Sequence, residues 1–335
     1  MLKKNKNAKS ALIMALSLVA SASVTVAVLP SHQAQSAWYT DAQAEITAKN
    51  SQQISKRAKN VILFVGDGMG VSTLTASRIL QGQQKGQSGE EGLLSFESFP
   101  YTAMVKTYNV DAQTPDSAGT MTAMASGIKT DKGIIGLDED SNYNDCSTAV
   151  GNEVVTSLEL AEIAGLATGV ISTARITHAT PAATYAKSAN RNWEDISDMD
   201  ADSAACEDIA SQLVNFESNL EARYEGIDVD GIDVVMGGGR RHFLPKDAQY
   251  NLEKAITDSA EGDRTDGRHL INEWKDQYQQ GRFLTNQADF DALDTQSSEP
   301  VFALFNESHM QYEADRNNDI AGEPSLSEMT QKAIK

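Results

Sequence analysis

At 335 residues the chain is long enough for one large α/β domain or two modest ones. With 40% hydrophobic and 22% charged residues it has a globular composition, which argues against disorder throughout. A formal net charge of -19 argues against a nucleic-acid-binding surface and repels anionic ligands at long range, so any anion site must build its own positive field from metal ions or an Arg.

Lys3, Lys4, Lys6 and Lys9 precede an apolar stretch from Ala11 to Leu29, and small residues follow from Ala34 to Ala37. That order is the charged, apolar and cleavage-site pattern of a secretory signal peptide over residues 1–36, and it implies a periplasmic or secreted protein. The stretch also approaches spanning length, but its Ser, Thr and Ala residues weaken it as an anchor. In an oxidising compartment Cys146 and Cys206 favour one disulfide over two free thiols. Sequence leaves open whether their Cα atoms approach closely enough.

After a polar segment over 37–59 the pattern alternates between strands and helices. Val61–Val65 is a continuous apolar run ended by Gly66, which predicts a strand buried on both faces. Val71–Leu80 reads as a helix, Tyr101–Tyr108 as a strand, and Asp116–Ser126 as a helix of small residues. Asn152 is the expected cap of a helix in which Val154, Leu158 and Ala161 share a face, with Gly165 as its stop. Ala167–Thr173, Ile232–Met236 and Val301–Phe305 are further strands. This alternation predicts a three-layer α/β/α sandwich around a largely parallel sheet. The acidic stretches Glu194–Glu207 and Asp247–Arg268 read as solvated excursions. Ser325 and Glu328 form a capping box for a final helix, and Lys335 ends the chain mid-helix without a Gly, Asn or Pro stop, the pattern of a truncated sequence.

Three motifs carry chemistry. Asp67 lies between Gly66 and Gly68 directly after the first apolar run, where a carboxylate at a strand's carboxyl end suits a metal ion or, more plainly, caps the next helix. Pro115, Asp116 and Ser117 fit a helix start, where free N–H groups and the helix dipole favour an anion beside the Ser hydroxyl. Taken alone, Asp116 or Ser117 is better explained as an N-cap and nothing more. No GxSxG elbow is present, so activation of Ser117 by a metal is the more natural route. His178 and Thr180 alternate, so both can face one side of an extended segment and serve a cation. Arg191 offers a planar fork for two oxygens of an anion, although a surface ion pair is the commoner fate of an Arg.

The segments NVILFVGDGMGVSTLTASRIL, PDSAGTMTAMASGIKTDKGIIG and ARITHATPAATYAKSANRNW together resemble the alkaline phosphatase family, in one order from about Asn60 to Lys335. The resemblance implies hydrolysis of phosphate monoesters through a phosphoserine at Ser117, with two zinc ions and one magnesium ion. Asp67 would bridge one zinc and the magnesium, and Ser117 would bind that zinc. Thr180 would be a magnesium ligand, with His178 in the outer shell. Arg191 would grip two phosphate oxygens, held by Asp116. It also implies pairing of Cys146 with Cys206 and a homodimer. Some family members carry a glutamate for a calcium site after the equivalent of Phe305; Asn306 stands there, so no calcium is expected.

In the family a further Glu, an Asp and several His ligands follow the region matched here, and His242, His269 and His309 do not sit in matching motifs. A complete parent is therefore expected to be active and these 335 residues alone weak or inactive. The alternatives are a related metal-dependent phosphodiesterase or sulfatase, for which no sulfatase modification motif is present, and a non-catalytic secreted phosphate-binding domain.

Overall fold

The computed structural model describes residues 58–335 except 201–202, 204–205 and 253–258, together with seven residues between Thr40 and Ser51. The signal-peptide region, residues 1–36, lies outside the described residues, as does most of 37–57. The chain divides into two compact units, residues 1–63 with 71–103 and residues 64–70 with 104–335.

In the first unit, α1 (Val71–Gln84) runs one turn beyond the predicted helix. The returning chain crosses it at Gly82, where a Cβ would meet the Gly89 Cα at 2.2 Å, and Arg78 Nη1 donates to Glu97 Oε1 at 2.8 Å.

The second unit holds, in chain order, α2 (Ser117–Ser126), α3 (Ser157–Ile163), β1 (Gly169–Arg175), α4 (Ala179–Ala182), α5 (Ile209–Val214) and α6 (Phe216–Arg223). There follow β2 (Val234–Gly238), α7 (Leu270–Gln277), β3 (Arg282–Leu284), α8 (Gln287–Asp291), β4 (Val301–Asn306) and α9 (Leu326–Ala333). The four strands form one parallel sheet in the order β1-β2-β4-β3, with Val234 between Gly169 and Val301. Alternation along the strands fills both faces. Val170, Val235, Phe302 and Leu304 join one apolar cluster with Leu213, Leu220 and Trp274 of α5, α6 and α7. Met236, Val301, Ala303 and Phe305 join another with Phe290 of α8 and Met329 of α9. This is the expected parallel sheet with a helical layer on each face.

Two predicted strands are absent. Val61–Val65 and Tyr101–Tyr108 pair with no strand among the described residues, and most of their apolar side chains are exposed, Val61 at 88% and Met104 at 95%, while Val65 packs against the core. Apolar content supplies a face to bury, but a strand needs a hydrogen-bonding neighbour as well. The cap at Asn152 is also corrected. Thr156 caps α3, accepting from the Glu159 N–H at 3.2 Å while its own N–H donates to Glu159 Oε2 at 2.8 Å. Nor are the two acidic stretches simply solvated, since Glu194, Asp195, Glu261 and Arg264 are buried. The box of Ser325 and Glu328 forms as expected and starts α9.

Buried acids tie the helices down. The Glu159 carboxylate takes Lys187 Nζ at 3.0 Å and Arg223 Nη2 at 2.6 Å, joining α3 to α6. Glu162 has no such cation. It is 2% exposed, its Oε1 accepts from the Thr168 hydroxyl, and its Oε2 has no partner among the described residues. Burial first, and then the nearby Asp233 and Asp230, push its carboxyl up to about 7 from an ordinary 4.5. The folded chain therefore keeps a proton that the unfolded chain releases near 4.5, and stability falls as pH rises from there through 7. Glu162→Gln should be more stable than the parent at about pH 9 by on the order of 1–3 kcal/mol, with the gain vanishing near pH 4. Denaturant titrations at several pH values check this, and a gain independent of pH contradicts it.

Candidate active site

His178 and Thr180 follow the carboxyl end of β1, the usual place for a site in an open α/β sheet, and Asp116 with Ser117 stands at the start of α2. Asp116 takes extended backbone angles (φ -120°, ψ 166°) and caps α2, its Oδ1 accepting from the Gly119 N–H at 3.2 Å. The same oxygen accepts from Asn109 Nδ2 at 2.8 Å, and Oδ2 binds Arg191 Nη1 at 3.0 Å. The small residue at 119 makes room for this. A Cβ there would press on the Asn109 side chain and the Asp131 carbonyl at 3.0 Å. Burial opposes the charge on Asp116, but the donors from Asn109, Gly119, Gly133 and Arg191 outweigh it and hold the carboxyl below its usual range. Ser117 is the first residue of α2 and is half-buried, with Ala118 and Gly119 fully covered behind it.

Arg191 is fixed at both ends. Its backbone N–H donates to the Gly133 carbonyl at 2.8 Å, and Nη2 lies 3.1 Å from His178 Nε2. A guanidinium only donates, so His178 Nε2 accepts and the ring proton sits on Nδ1. Burial first, and then Arg191, hold the His178 imidazole below its ordinary range, in keeping with a neutral ring. Nδ1 is buried with no partner among the described residues, which leaves a donor that the protein does not satisfy. The Cys146–Cys206 disulfide, with Cα atoms 5.8 Å apart, lies in the same apolar cluster as Trp193 and so stiffens the segment that carries Arg191.

Thr180 lies in α4, two residues after His178, and its hydroxyl donates to Asp67 Oδ2 at 2.8 Å. Asp67 itself is exposed on a turn whose Gly68 has φ +64°, a conformation that suits glycine. The printed contacts thus link Asp116, Arg191 and His178 in one group and Asp67 with Thr180 in another, while Ser117 adjoins the first group through the chain.

Asp67 and Thr180 offer two hard oxygens, which fit a magnesium ion that keeps several waters. They fall short of the roughly three protein ligands of a catalytic zinc. Among the described residues, the one group of three His, Cys, Asp or Glu donors within 4.8 Å of one another is Asp195, His242 and Asp263, and it contains neither Asp67 nor His178. The residues present therefore fit magnesium and do not fit a zinc pair at Asp67.

Sequence reasoning missed several neighbours. Asn109 carries no motif that marks it. His309 sits just beyond the carboxyl end of β4, a position that could have flagged it, and its ring centroid lies 5.3 Å from that of His178. Arg175 bridges outward, its Nη1 lying 2.8 Å from His309 Nε2 and its Nε donating to Glu194 Oε2 at 2.8 Å.

Among the described residues no helix is long and apolar enough to cross a membrane. A sequence model described as Alkaline phosphatase matches residues 58–335. The tissue-nonspecific alkaline phosphatase isozymes of Mus musculus and Homo sapiens are 41% and 40% identical, covering 89% and 93% of this chain and 56% and 58% of their own length. The alkaline phosphatase of Gadus morhua is 41% identical over 86% of this chain and 58% of its own. The chain thus spans a little over half the length of the curated relatives it matches. Among solved structures, Thermus thermophilus alkaline phosphatase aligns with a TM-score of 0.59 at 23% identity, covering 92% of this chain and 50% of that one. The cold-active alkaline phosphatase of a Shewanella species aligns at 0.53 and 24% identity, covering 81% and 50%, and at such identities both likenesses bear on the α/β fold alone. With a family match over most of its length and relatives near 40% identity, the chain belongs to the alkaline phosphatase family.

Proposed function

We propose that this chain carries the nucleophile and the phosphate grip of a phosphate monoester hydrolase that works through a phosphoserine at Ser117. The observation that supports this most is the double hold of Asp116, which caps the helix beginning at Ser117 and binds Arg191 with its other oxygen. Nucleophile and anion grip are thereby referred to one carboxylate. Each terminal nitrogen of Arg191 spends one N–H on Asp116 or His178, which leaves one N–H apiece for two phosphate oxygens.

In the first displacement Ser117 Oγ attacks phosphorus and the ester P–O bond breaks in line, releasing the alcohol. In the second, water attacks phosphorus, the Oγ–P bond breaks, and inorganic phosphate leaves. Free N–H groups at the start of α2 favour the phosphoserine dianion. Arg191 binds and orients the phosphoryl oxygens through both steps. The family is metal-dependent, and Asp67 with Thr180 would hold magnesium, which supplies charge neutralisation beside the phosphoryl group. No step is assigned to zinc, because the described residues do not gather its donors. Export through residues 1–36, magnesium and zinc as the working metals, and a homodimer belong to the same proposal.

Hydrolysis of a generic phosphomonoester at alkaline pH with zinc and magnesium tests the reading. These 335 residues should be weak or inactive, a longer parent with further His and Asp ligands should turn over, and Ser117→Ala in that parent should lose on the order of a thousandfold or more in kcat. An inactive parent that still binds phosphate would favour the non-catalytic binding domain instead.

Asp116→Ala separates the two duties of the anchor. Loss of the cap should cost about 1 kcal/mol of stability, and release of Arg191 should weaken inhibition by inorganic phosphate roughly tenfold. A variant that loses the stability but keeps the inhibition constant contradicts the shared anchor.

A further inference from the structure

Asp116 and His178 fix the guanidinium of Arg191, while a separate loop fixes its backbone. Segments 133–135 and 188–191 run antiparallel. Ile135 and Ser188 exchange backbone hydrogen bonds at 2.9 and 2.8 Å, and the Arg191 N–H donates to the Gly133 carbonyl. Ile134, Ala189 and Trp193 of these segments share one apolar cluster.

Arg191 is the middle residue of a turn made by the side chain before it. Asn190 is buried, and its Oδ1 accepts from the Asn192 N–H at 2.8 Å, which bends the chain around Arg191. A backbone N–H can only donate, so the Asn190 atom facing it is the oxygen, and the amide orientation follows. Oδ1 also accepts from the Tyr143 hydroxyl at 3.1 Å, and Nδ2 donates to Asn144 Oδ1 at 2.9 Å. Tyr143 and Asn144 thus hold both ends of the amide that shapes the turn.

The Tyr143 ring makes a second contact. A Cβ at Gly133 would stand 2.5 Å from Tyr143 Cε2 and 2.9 Å from Cδ2, so the ring occupies the place of a side chain there. One aromatic residue therefore touches both the residue whose carbonyl receives the Arg191 N–H and the residue whose amide bends the chain. Tyr143 is 50% exposed, too open for a core residue, so its packing serves Gly133 and Asn190 more than the hydrophobic core. The backbone is bent to bring this about. Asn144 has φ +64°, the one positive value outside glycine among the described residues, and its N–H donates to the Ala189 carbonyl at 2.9 Å. Asn tolerates that conformation better than most side chains do. Such outliers persist where the surroundings over-determine them, and they cluster at functional sites.

We propose that Tyr143 is a positioning residue for Arg191, its ring keeping the Gly133 carbonyl on the Arg191 N–H and its hydroxyl keeping the Asn190 amide in the turn. Asp116 and His178 then aim a guanidinium whose backbone is already fixed. The consequence for phosphate binding rests on Arg191 as the phosphate grip; the brace itself does not.

The test follows amide hydrogen exchange at single residues, and inorganic phosphate binding by calorimetry with magnesium present, on the full chain and its variants. Tyr143→Ala should speed exchange at Arg191 and Asn192 roughly tenfold or more while leaving Ile135 and Ser188 within about twofold of the parent. Tyr143→Phe, which keeps the ring, should restore protection at Arg191 and leave only Asn192 faster. Phosphate binding should weaken roughly three- to tenfold in Tyr143→Ala. In an Arg191→Ala background the same change should weaken it no further. Unchanged exchange at Arg191 in Tyr143→Ala overturns the proposal, as does equal loosening of Ile135 and Ser188, which marks a loss of general stability. A phosphate affinity that Arg191→Ala leaves intact contradicts the phosphate grip instead, and the exchange pattern still decides the brace.

Discussion

The candidate site depends on one carboxylate. Asp116 gives one oxygen to the start of α2 and Asn109 and the other to Arg191, so the position of Ser117 and the direction of the guanidinium are not independent. An exposed Asp–Arg pair contributes little, but this one is partly buried and has three further donors on the same carboxylate, which keep it ionised. His178 completes the hold from the other side. Because its imidazole is neutral, it accepts from Arg191 instead of repelling it.

The sheet supplies the frame for this anchor. β1 leads through Arg175 into the turn that carries His178 and Thr180, and β4 leads to His309, so the strands deliver side chains to one edge while the clusters on both faces hold the strands still. Glu194 then lies between two groups of residues. It takes Arg175 and Thr177 on the site's side and faces His242 on the other, and with Asp195, which bonds His242 Nδ1, it ties the segment beyond Arg191 to the turn after β2.

Much of the fold was legible in the sequence because its strands are apolar runs closed by glycine or polar residues. β1 and β2 appear two residues later than expected, and β4 almost where expected. The short edge strand β3 carries too few residues for a period to show. Val61–Val65 and Tyr101–Tyr108 had the composition of strands and lack the neighbour, which no local pattern can supply. The helix starts were readable where a capping box stands, at Thr156 and at Ser325, and the first was overlooked in favour of Asn152. The Asp116–Arg191 contact could be expected only from resemblance, since 75 residues separate the pair. The meeting of Asp195, His242 and Asp263 had no sequence signal, because three separate segments come together there with no fixed spacing.

The central claim is that Ser117 takes the phosphoryl group beside an arginine held by the same anchor. The most direct measurement is acid quenching of the chain, extended to the length of its relatives, during turnover of a phosphomonoester, followed by mass-spectrometric mapping of the phosphorylated peptide. The expected result is one phosphate on Ser117 in the Asp116–Lys129 region, lost in Ser117→Ala. Turnover with phosphate trapped on another residue, or with none trapped under conditions that preserve phosphoserine, would contradict the account.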